Sequence, residues 1–290
     1  MNLTERIRDR GLLLDGAMGT ELQRKGLPAG TPPDLWNLQN PEAVKEVHAS
    51  YIEAGTDAIS ANTFGSSPLR FAAHKSNESW EKVTRRGIAL AREAAKGRAL
   101  VAGDIGPSGF LLAPTGPATP EEIERSFAAQ AKVMDEEGVD FFIAETFFSL
   151  QEILLAARAI RSVSARLFFL SMTFEKRRRG FFSIMGDPIV AAMNTMAEMG
   201  ATAVGANCSL SSADMIEAAG EIRGAVSIPV IIEPNAGQPQ VTPEGTVYPE
   251  TPETFAENIR KIRKLGIEIV GGCCGTRAQT IAAIRAQWQK

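Results

Sequence analysis

Residues 267–276 read IEIVGGCCGT: an apolar run closes on two glycines, two adjacent cysteines and a third glycine. An apolar stretch without polar alternation suits a β-strand covered on both faces, as strands of a parallel sheet are. The same unit, an apolar run ending in small or polar residues before an amphipathic helix, recurs along the chain. Its other copies are LLLDGA from Leu12, DAISANTF from Asp57, LVAGDIGP from Leu100, DFFIAET from Asp140, RLFFLSMTF from Arg166, AVGANCS from Ala203 and PVIIEPNA from Pro229.

The intervening segments carry helix signals. In residues 40–55, NPEAVKEVHASYIEAG, Asn40 is placed to cap the helix and Pro41 to open it. Val44, Val47, Tyr51 and Ile52 form one stripe, and Gly55 stops the helix. TPEE from Thr119 has the pattern of a capping box, and DPIV from Asp187 and TPET from Thr251 place a proline at the first turn. Eight strand-helix units predict an α/β fold, a (β/α)₈ TIM barrel forming a single domain over residues 1–290. An open doubly wound sheet is the alternative, but no G-x-G-x-x-G follows the first strand. The longest connections, SGFLLAPTGPATP and EKRRRGFFSIMGDP, fall on the C-terminal face as loops.

Composition bounds the partners. The chain has 290 residues, 44% hydrophobic and 22% charged, enough for one large core, and its net charge of −3 gives no reason to expect nucleic acid or an anionic membrane. The start, MNLTERIRDRGLLL, lacks a signal-type apolar core, and no apolar run has the length of a membrane span. A cytoplasmic location is the expectation, and with it reduced thiols. The two histidines, His48 and His74, fall in helical segments away from strand ends and read as surface residues. The basic run Lys176–Arg179 reads as a solvated loop, with docking as the alternative.

Three cysteines are present, Cys208 in VGANCSL and the pair Cys273 and Cys274. An odd number cannot all pair within the chain. In a (β/α)₈ barrel the C-terminal strand ends surround one site, so cysteines after strands six and eight converge. Three thiolates match the protein share of a catalytic zinc site, which keeps a fourth position open. Small buried hydrophobes, or a vicinal disulfide between Cys273 and Cys274, are the plainer readings.

LLLDGAMGTEL, SANTFGSS, AETFFSLQE, GANCSL, EPNAGQP and GGCCGT, in that order from Leu12 to Thr276, resemble the homocysteine S-methyltransferase family. The resemblance implies a (β/α)₈ barrel with Zn²⁺ held by Cys208, Cys273 and Cys274, the residues on which methyl transfer to the thiol of L-homocysteine, giving methionine, would centre. It also implies that Asp15 and Glu145 face the substrate ammonium. Thr63 and Phe64 lie by its carboxylate, with Gly16 and Gly65 permitting close backbone approach. Asn207 stands among the substrate-site residues, where it orients the neighbouring cysteine or loop. Asp104 and Asn235, also at strand ends, are candidates for lining the pocket.

The methyl donor divides the family. Betaine users carry aromatic residues after the TF and AE elements, where this chain has Gly65 and Thr146, which argues against betaine. DLWNLQNPE, EPNAGQP and TVYPETPE resemble the homocysteine-binding module of cobalamin-dependent methionine synthase. The chain ends directly after the eighth unit, so the implied partner is a separate corrinoid protein that delivers the methyl group. Use of S-methylmethionine, a fragment of a longer protein, another thiol acceptor, and a non-catalytic zinc-binding partner subunit remain alternatives.

Overall fold

In the computed structural model, which describes residues 3–74, 76–242 and 245–288, all eight predicted runs are strands. They are β1 (Leu12–Leu13), β2 (Ala58–Ser60), β3 (Leu100–Ile105), β4 (Phe141–Phe147), β5 (Phe168–Met172), β6 (Ala203–Ser211), β7 (Val230–Asn235) and β8 (Ile269–Val270). Every pairing is parallel, in the order β1-β8-β7-β6-β5-β4-β3-β2. Between β1 and β2 the ring closes by isolated bonds: the Asp57 amide and the Thr56 hydroxyl donate to the Leu13 carbonyl at 2.7 and 2.9 Å. The Asp57 carboxylate accepts from the Leu13 amide at 2.8 Å. The result is an almost closed (β/α)₈ barrel.

A principal helix packs after each strand: α1 (Pro41–Glu53), α2 (Trp80–Ala95), α3 (Pro120–Glu136), α4 (Leu150–Val163), α5 (Ile189–Glu198), α6 (Ser212–Ala225), α7 (Pro252–Lys264) and α8 (Ala278–Ala286), with shorter helices Met18–Arg24, Trp36–Gln39 and Pro68–Ala73 in the first two connections. The capping box of α3 is complete, with the Thr119 hydroxyl accepting from the Glu122 amide and the Glu122 carboxylate from the Thr119 amide. The Thr251 hydroxyl caps α7 by accepting from the Thr254 amide, ahead of Pro252 and without the reciprocal bond.

Two helix starts differ from expectation. Asn40 makes no side-chain cap, so Pro41, with its preset φ, opens α1 alone. Pro188 precedes α5 instead of opening it, because the Asp187 carboxylate accepts from the Ser183 hydroxyl and from the Leu150 amide, the first residue of α4. The side chain expected to serve its own helix instead satisfies an orphan donor of the neighbouring one.

The side chains inside the barrel form an apolar layer: Leu12, Leu14, Ala58, Ala102, Phe141, Ile143, Phe169, Ala203, Ile231 and Ile269, with Ile7 of the N-terminal helix (Leu3–Arg10) packed against them. The β5–α5 connection, expected as a loop, is an antiparallel hairpin pairing Glu175–Arg177 with Gly180–Phe182. A second hairpin, Gln240–Thr242 with Gly245–Val247, follows β7. Among the described residues no helix is long and apolar enough to cross a membrane.

His48 is not on the surface. It is fully buried in α1 with neither ring nitrogen hydrogen-bonded, whereas His74 is exposed. His48 stands four residues after Val44 and four before Ile52, so it shares their inward stripe. Burial pushes its pKa down to about 4. Folding therefore requires the neutral ring, and the stability this secures is full at neutral pH and lost as pH falls from 6.5 through about 4. By linkage the loss reaches about 2 kcal/mol at pH 5. Urea denaturation at pH 7.5 and pH 5 should show this loss in the wild type and not in His48→Leu; equal losses in both would contradict it.

Candidate active site

The inward alternation of the strands continues past the apolar layer and changes character. Two residues beyond Ala102 on β3 stands Asp104, beyond Ile143 on β4 stands Glu145, beyond Phe169 on β5 stands Ser171, and beyond Ile231 on β7 stands Glu233. On β6, Ala203 leads through Gly205 to Asn207. The upper layer is polar and lies at the strand ends where barrels of this kind place their sites.

Asn207 braces this layer and is wholly buried. Its amide oxygen accepts from the Thr146 backbone amide and the Ser171 hydroxyl, each at 2.9 Å. Its amide nitrogen donates to the Thr146 hydroxyl at 2.7 Å and to Glu145 at 3.0 Å, and lies 3.9 Å from the Cys273 sulfur. Four non-glycine residues among those described adopt a left-handed φ, and three of them are here: Thr146 at +64°, Cys208 at +58° and Ser209 at +55°. Such residues cost about 1–3 kcal/mol each and persist only where their surroundings over-determine them. The bonds from Asn207 to Thr146 are part of what does so.

The three cysteines converge. Their sulfur atoms all lie within 4.8 Å of one another, and each residue is partly buried. Cys273 and Cys274 follow β8 in a turn pinned from both sides. The Cys273 amide donates to the Pro234 carbonyl at 2.8 Å, the Cys274 carbonyl accepts from the Ala236 amide at 3.0 Å, and the Thr276 hydroxyl donates to the Cys273 carbonyl at 2.7 Å. Gly275 is held at φ +83°, and a Cβ there would come within 2.2 Å of the Tyr248 ring, so glycine is required on both counts.

Hydrogen bonds from Cys208 and Cys273, reinforced by one from Tyr248, pull Cys274 down to about 3. Cys273 is raised by its bonds to Cys208 and Cys274 and by burial. On Cys208 the bond with Cys273 lowers the pKa, but the bond with Cys274 and burial outweigh it and leave it near 11. One thiolate held by two thiols is what a trio of sulfurs adopts when it must share a small space. Sulfurs on tetrahedral zinc at about 2.3 Å lie about 3.8 Å apart, and a thiol trio already within 4.8 Å suits that ion without rearrangement of the strands.

Beside the sulfurs lies an acidic pocket. Asp15 accepts from the Ser60 amide at 3.1 Å and is raised well above the usual carboxylate range by burial. Burial, and then electrostatic repulsion at the adjoining Cys208 position, push Glu145 up to about 7. Asp104 and Glu233 are raised by burial and by the neighbouring Glu145. One oxygen of each of Asp104, Glu233 and Asn235 is buried with no hydrogen-bond partner. Buried acceptors of this kind are costly unless a donor arrives, and carboxylates so placed select a cation.

Thr63 is fully buried, and its hydroxyl donates to the Asp104 carbonyl at 2.9 Å and accepts from the Asp104 amide at 3.2 Å. The loop is fastened from behind as well. The Gly65 amide donates to the buried Asp34 at 2.9 Å, and Arg70 lies over the Phe64 ring at 5.0 Å. A Cβ on Gly65 would meet Asp34 at 2.6 Å, and one on Gly16 would meet Tyr51 and Thr276 at 2.8 Å. The residues not singled out from sequence are Glu233, Ser171, Asp34 and Tyr248. Period-two alternation from Ile231 points to Glu233 and from Phe169 to Ser171, but no local pattern places Asp34 or Tyr248.

The chain matches the family model described as homocysteine S-methyltransferase over residues 12–288. It is 26% identical to homocysteine S-methyltransferase of Escherichia coli, covering 95% of this chain and 94% of that protein. It is 28% identical to methionine synthase of Mycobacterium tuberculosis, covering 98% of this chain but only about a quarter (25%) of that protein's length. The solved structure of the E. coli homocysteine methyltransferase MmuM in its metallated form superposes with a TM-score of 0.79 at 25% identity, over 97% of each chain. The carboxyl transferase domain of Rhizobium etli pyruvate carboxylase, at 15% identity and a TM-score of 0.57, shares the fold alone. With the family match spanning nearly all of its length, the chain belongs to the homocysteine S-methyltransferase family.

Proposed function

We propose that this enzyme transfers a methyl group to the thiol of L-homocysteine, giving methionine, at a zinc ion held by Cys208, Cys273 and Cys274. The observation that carries this reading is the meeting of a trio of cysteine sulfurs with a buried, cation-selecting pocket. Bound zinc would keep the acceptor thiol deprotonated at neutral pH.

The residues of the chain supply the rest. Asp15 and Glu145 receive the substrate ammonium, and Asp104, Glu233 and Asn235, each with an oxygen that lacks a donor, add to the acceptors of the same pocket. Four carboxylates exceed the charge of one ammonium, so some hold protons, as their raised pKa values allow. The substrate carboxylate lies by the Thr63–Phe64–Gly65 loop and uses its backbone, since the Thr63 hydroxyl is committed to β3. Asn207 holds Glu145 and the left-handed Thr146 in place. In the transfer itself a sulfur–carbon bond forms as the donor's bond to the methyl carbon breaks, and no proton moves at the sulfur. The carboxylates therefore serve recognition and not acid-base catalysis.

As donor we propose a methylated corrinoid protein. Exposed Leu111, Ile184, Met185, Val241 and Val247 lie on connections following β3, β5 and β7, at the C-terminal side of the barrel. Neither Gly65 nor Thr146 supplies the aromatic wall that would cage betaine. On the β5 hairpin Lys176 pairs with Glu217 and Arg177 with Glu175, so the positive charge available for docking belongs to Arg178 and Arg179, which make no ion pair among the described residues.

Two measurements test these assignments. Glu145→Gln should weaken homocysteine binding by about 1.5–3 kcal/mol in calorimetry while zinc content stays unchanged; wild-type affinity would contradict the ammonium assignment. Arg178→Glu with Arg179→Glu should slow methyl transfer from the corrinoid protein in a salt-dependent way and leave transfer from free methylcobalamin unaltered. Turnover with S-methylmethionine and none with any methylcorrinoid would overturn the donor.

A further inference from the structure

A second cleft lies at the opposite end of the barrel, on its N-terminal face. It encloses about 830 Å³ and is lined by Arg6, Arg10, Gly11, Asp57, Arg263, Arg285 and Trp288. Arg6 and Arg10 come from the N-terminal helix, and Asp57 directly precedes β2. Arg263 belongs to the last turn of α7 and Arg285 to that of α8. Four guanidinium groups thus face one carboxylate in a chain whose net charge is −3.

That carboxylate is already fully engaged. Asp57 accepts from Arg6 at 2.5 Å and from the Leu13 amide at 2.8 Å, and forms an ion pair with Arg285 at 2.8 Å. Glu268, close behind the cleft, is held by Arg223 and by the Val230 amide. Helix C-termini attract cations, which accounts for one arginine at each helix end, but not for the concentration of four. Arg263 shows the strain: its Nε is buried without a partner, and burial followed by repulsion from Arg285 pushes its pKa down.

The geometry holds these groups in place. Arg263 stacks at 3.7 Å over the ring of Trp288 and donates to the Trp288 carbonyl at 2.8 Å, while Arg285 lies 4.9 Å from the same ring. Trp288 is itself fastened by its indole N–H to the Arg10 carbonyl at 3.2 Å. Gly11, at φ +73°, permits this packing, since a Cβ there would sit 2.7 Å from the Glu268 carbonyl and 3.2 Å from the Trp288 ring. Stacking and the bonds to the Trp288 and Gly55 carbonyls, the latter from the Arg285 Nε at 2.7 Å, fix these guanidinium planes, and the N–H groups of the cluster not so engaged match the oxygens of a phosphoryl group.

We propose that this cleft is a binding site for a phosphorylated small molecule, gripped through its phosphoryl group, on the face of the barrel remote from the cysteines. A dianion offsets the surplus positive charge where a single carboxylate would not, and the volume leaves room for the organic portion of the ligand. The proposal does not depend on the methyl-transfer reading.

The test uses pyrophosphate as probe, with the intact chain at matched ionic strength. In thermal melts and calorimetry, pyrophosphate should raise the melting temperature and bind with a dissociation constant below a millimolar, and sodium chloride should do neither. Arg6→Gln with Arg10→Gln, both on the surface helix, should weaken binding at least tenfold, while Cys208→Ser leaves it unchanged. Arg10→Gln alone, which removes no ion pair among the described residues, keeps the test valid if the double variant is unstable, and should weaken binding at least threefold. No response beyond that of sodium chloride, or wild-type binding in the arginine variants, would overturn the proposal.

Discussion

Closing eight parallel strands into a ring brings the end of β6 beside the turn that follows β8, although the two lie far apart in the chain. Strand pairing alone does not deliver the sulfurs to one point. Cys208 reaches the others from a left-handed backbone, and β6 breaks register with β7 between Asn207 and Ser211 at the same place. The local irregularity re-aims a side chain at the mouth of the barrel, as bulges beside active sites do. Its cost is borne by the closed ring beneath, whose interior layer is apolar and almost entirely shielded from water.

The same closure concentrates charge. Asp104, Glu145 and Glu233 point inward by the alternation that makes the layer below them apolar, so the transition from core to site takes place within single strands. Water cannot solvate these groups fully, and each is displaced toward its neutral form by burial and by its neighbours. A pocket in that state is poised for an amine: an arriving ammonium supplies N–H donors to orphaned oxygens and stabilises the ionised form of the carboxylates around it. On the proposed reading, recognition of the amino-acid end and activation of the thiol end are thereby separated, the first resting on Asp15 and the carboxylates of β3, β4 and β7, the second on the cysteines.

Much of this was legible in the sequence, because the features that carry it are local or periodic. Apolar runs ending in small residues fixed all eight strands, and glycine-framed cysteines at two of their ends implied convergence. The capping box at Thr119 and the proline starts of α1 and α7 were equally local. What escaped depends on partners distant in the chain. Asp187 was drawn to the start of α4 by a contact no pattern encodes, and Tyr248 reaches Cys274 from a hairpin whose return path the sequence does not specify. His48 and Glu233 are of another kind. Both continue an inward-facing periodicity that the sequence carries, and position along that periodicity decides their burial over their polarity.

The central claim is that the cysteines form one metal centre with a place for the acceptor sulfur. X-ray absorption at the zinc edge on purified enzyme tests it most directly. The account predicts one zinc per chain with three sulfur neighbours, rising to four when homocysteine is added, and loss of the metal in Cys208→Ala, Cys273→Ala and Cys274→Ala. A sulfur count unchanged by homocysteine, or full zinc content in any of the three variants, would contradict it.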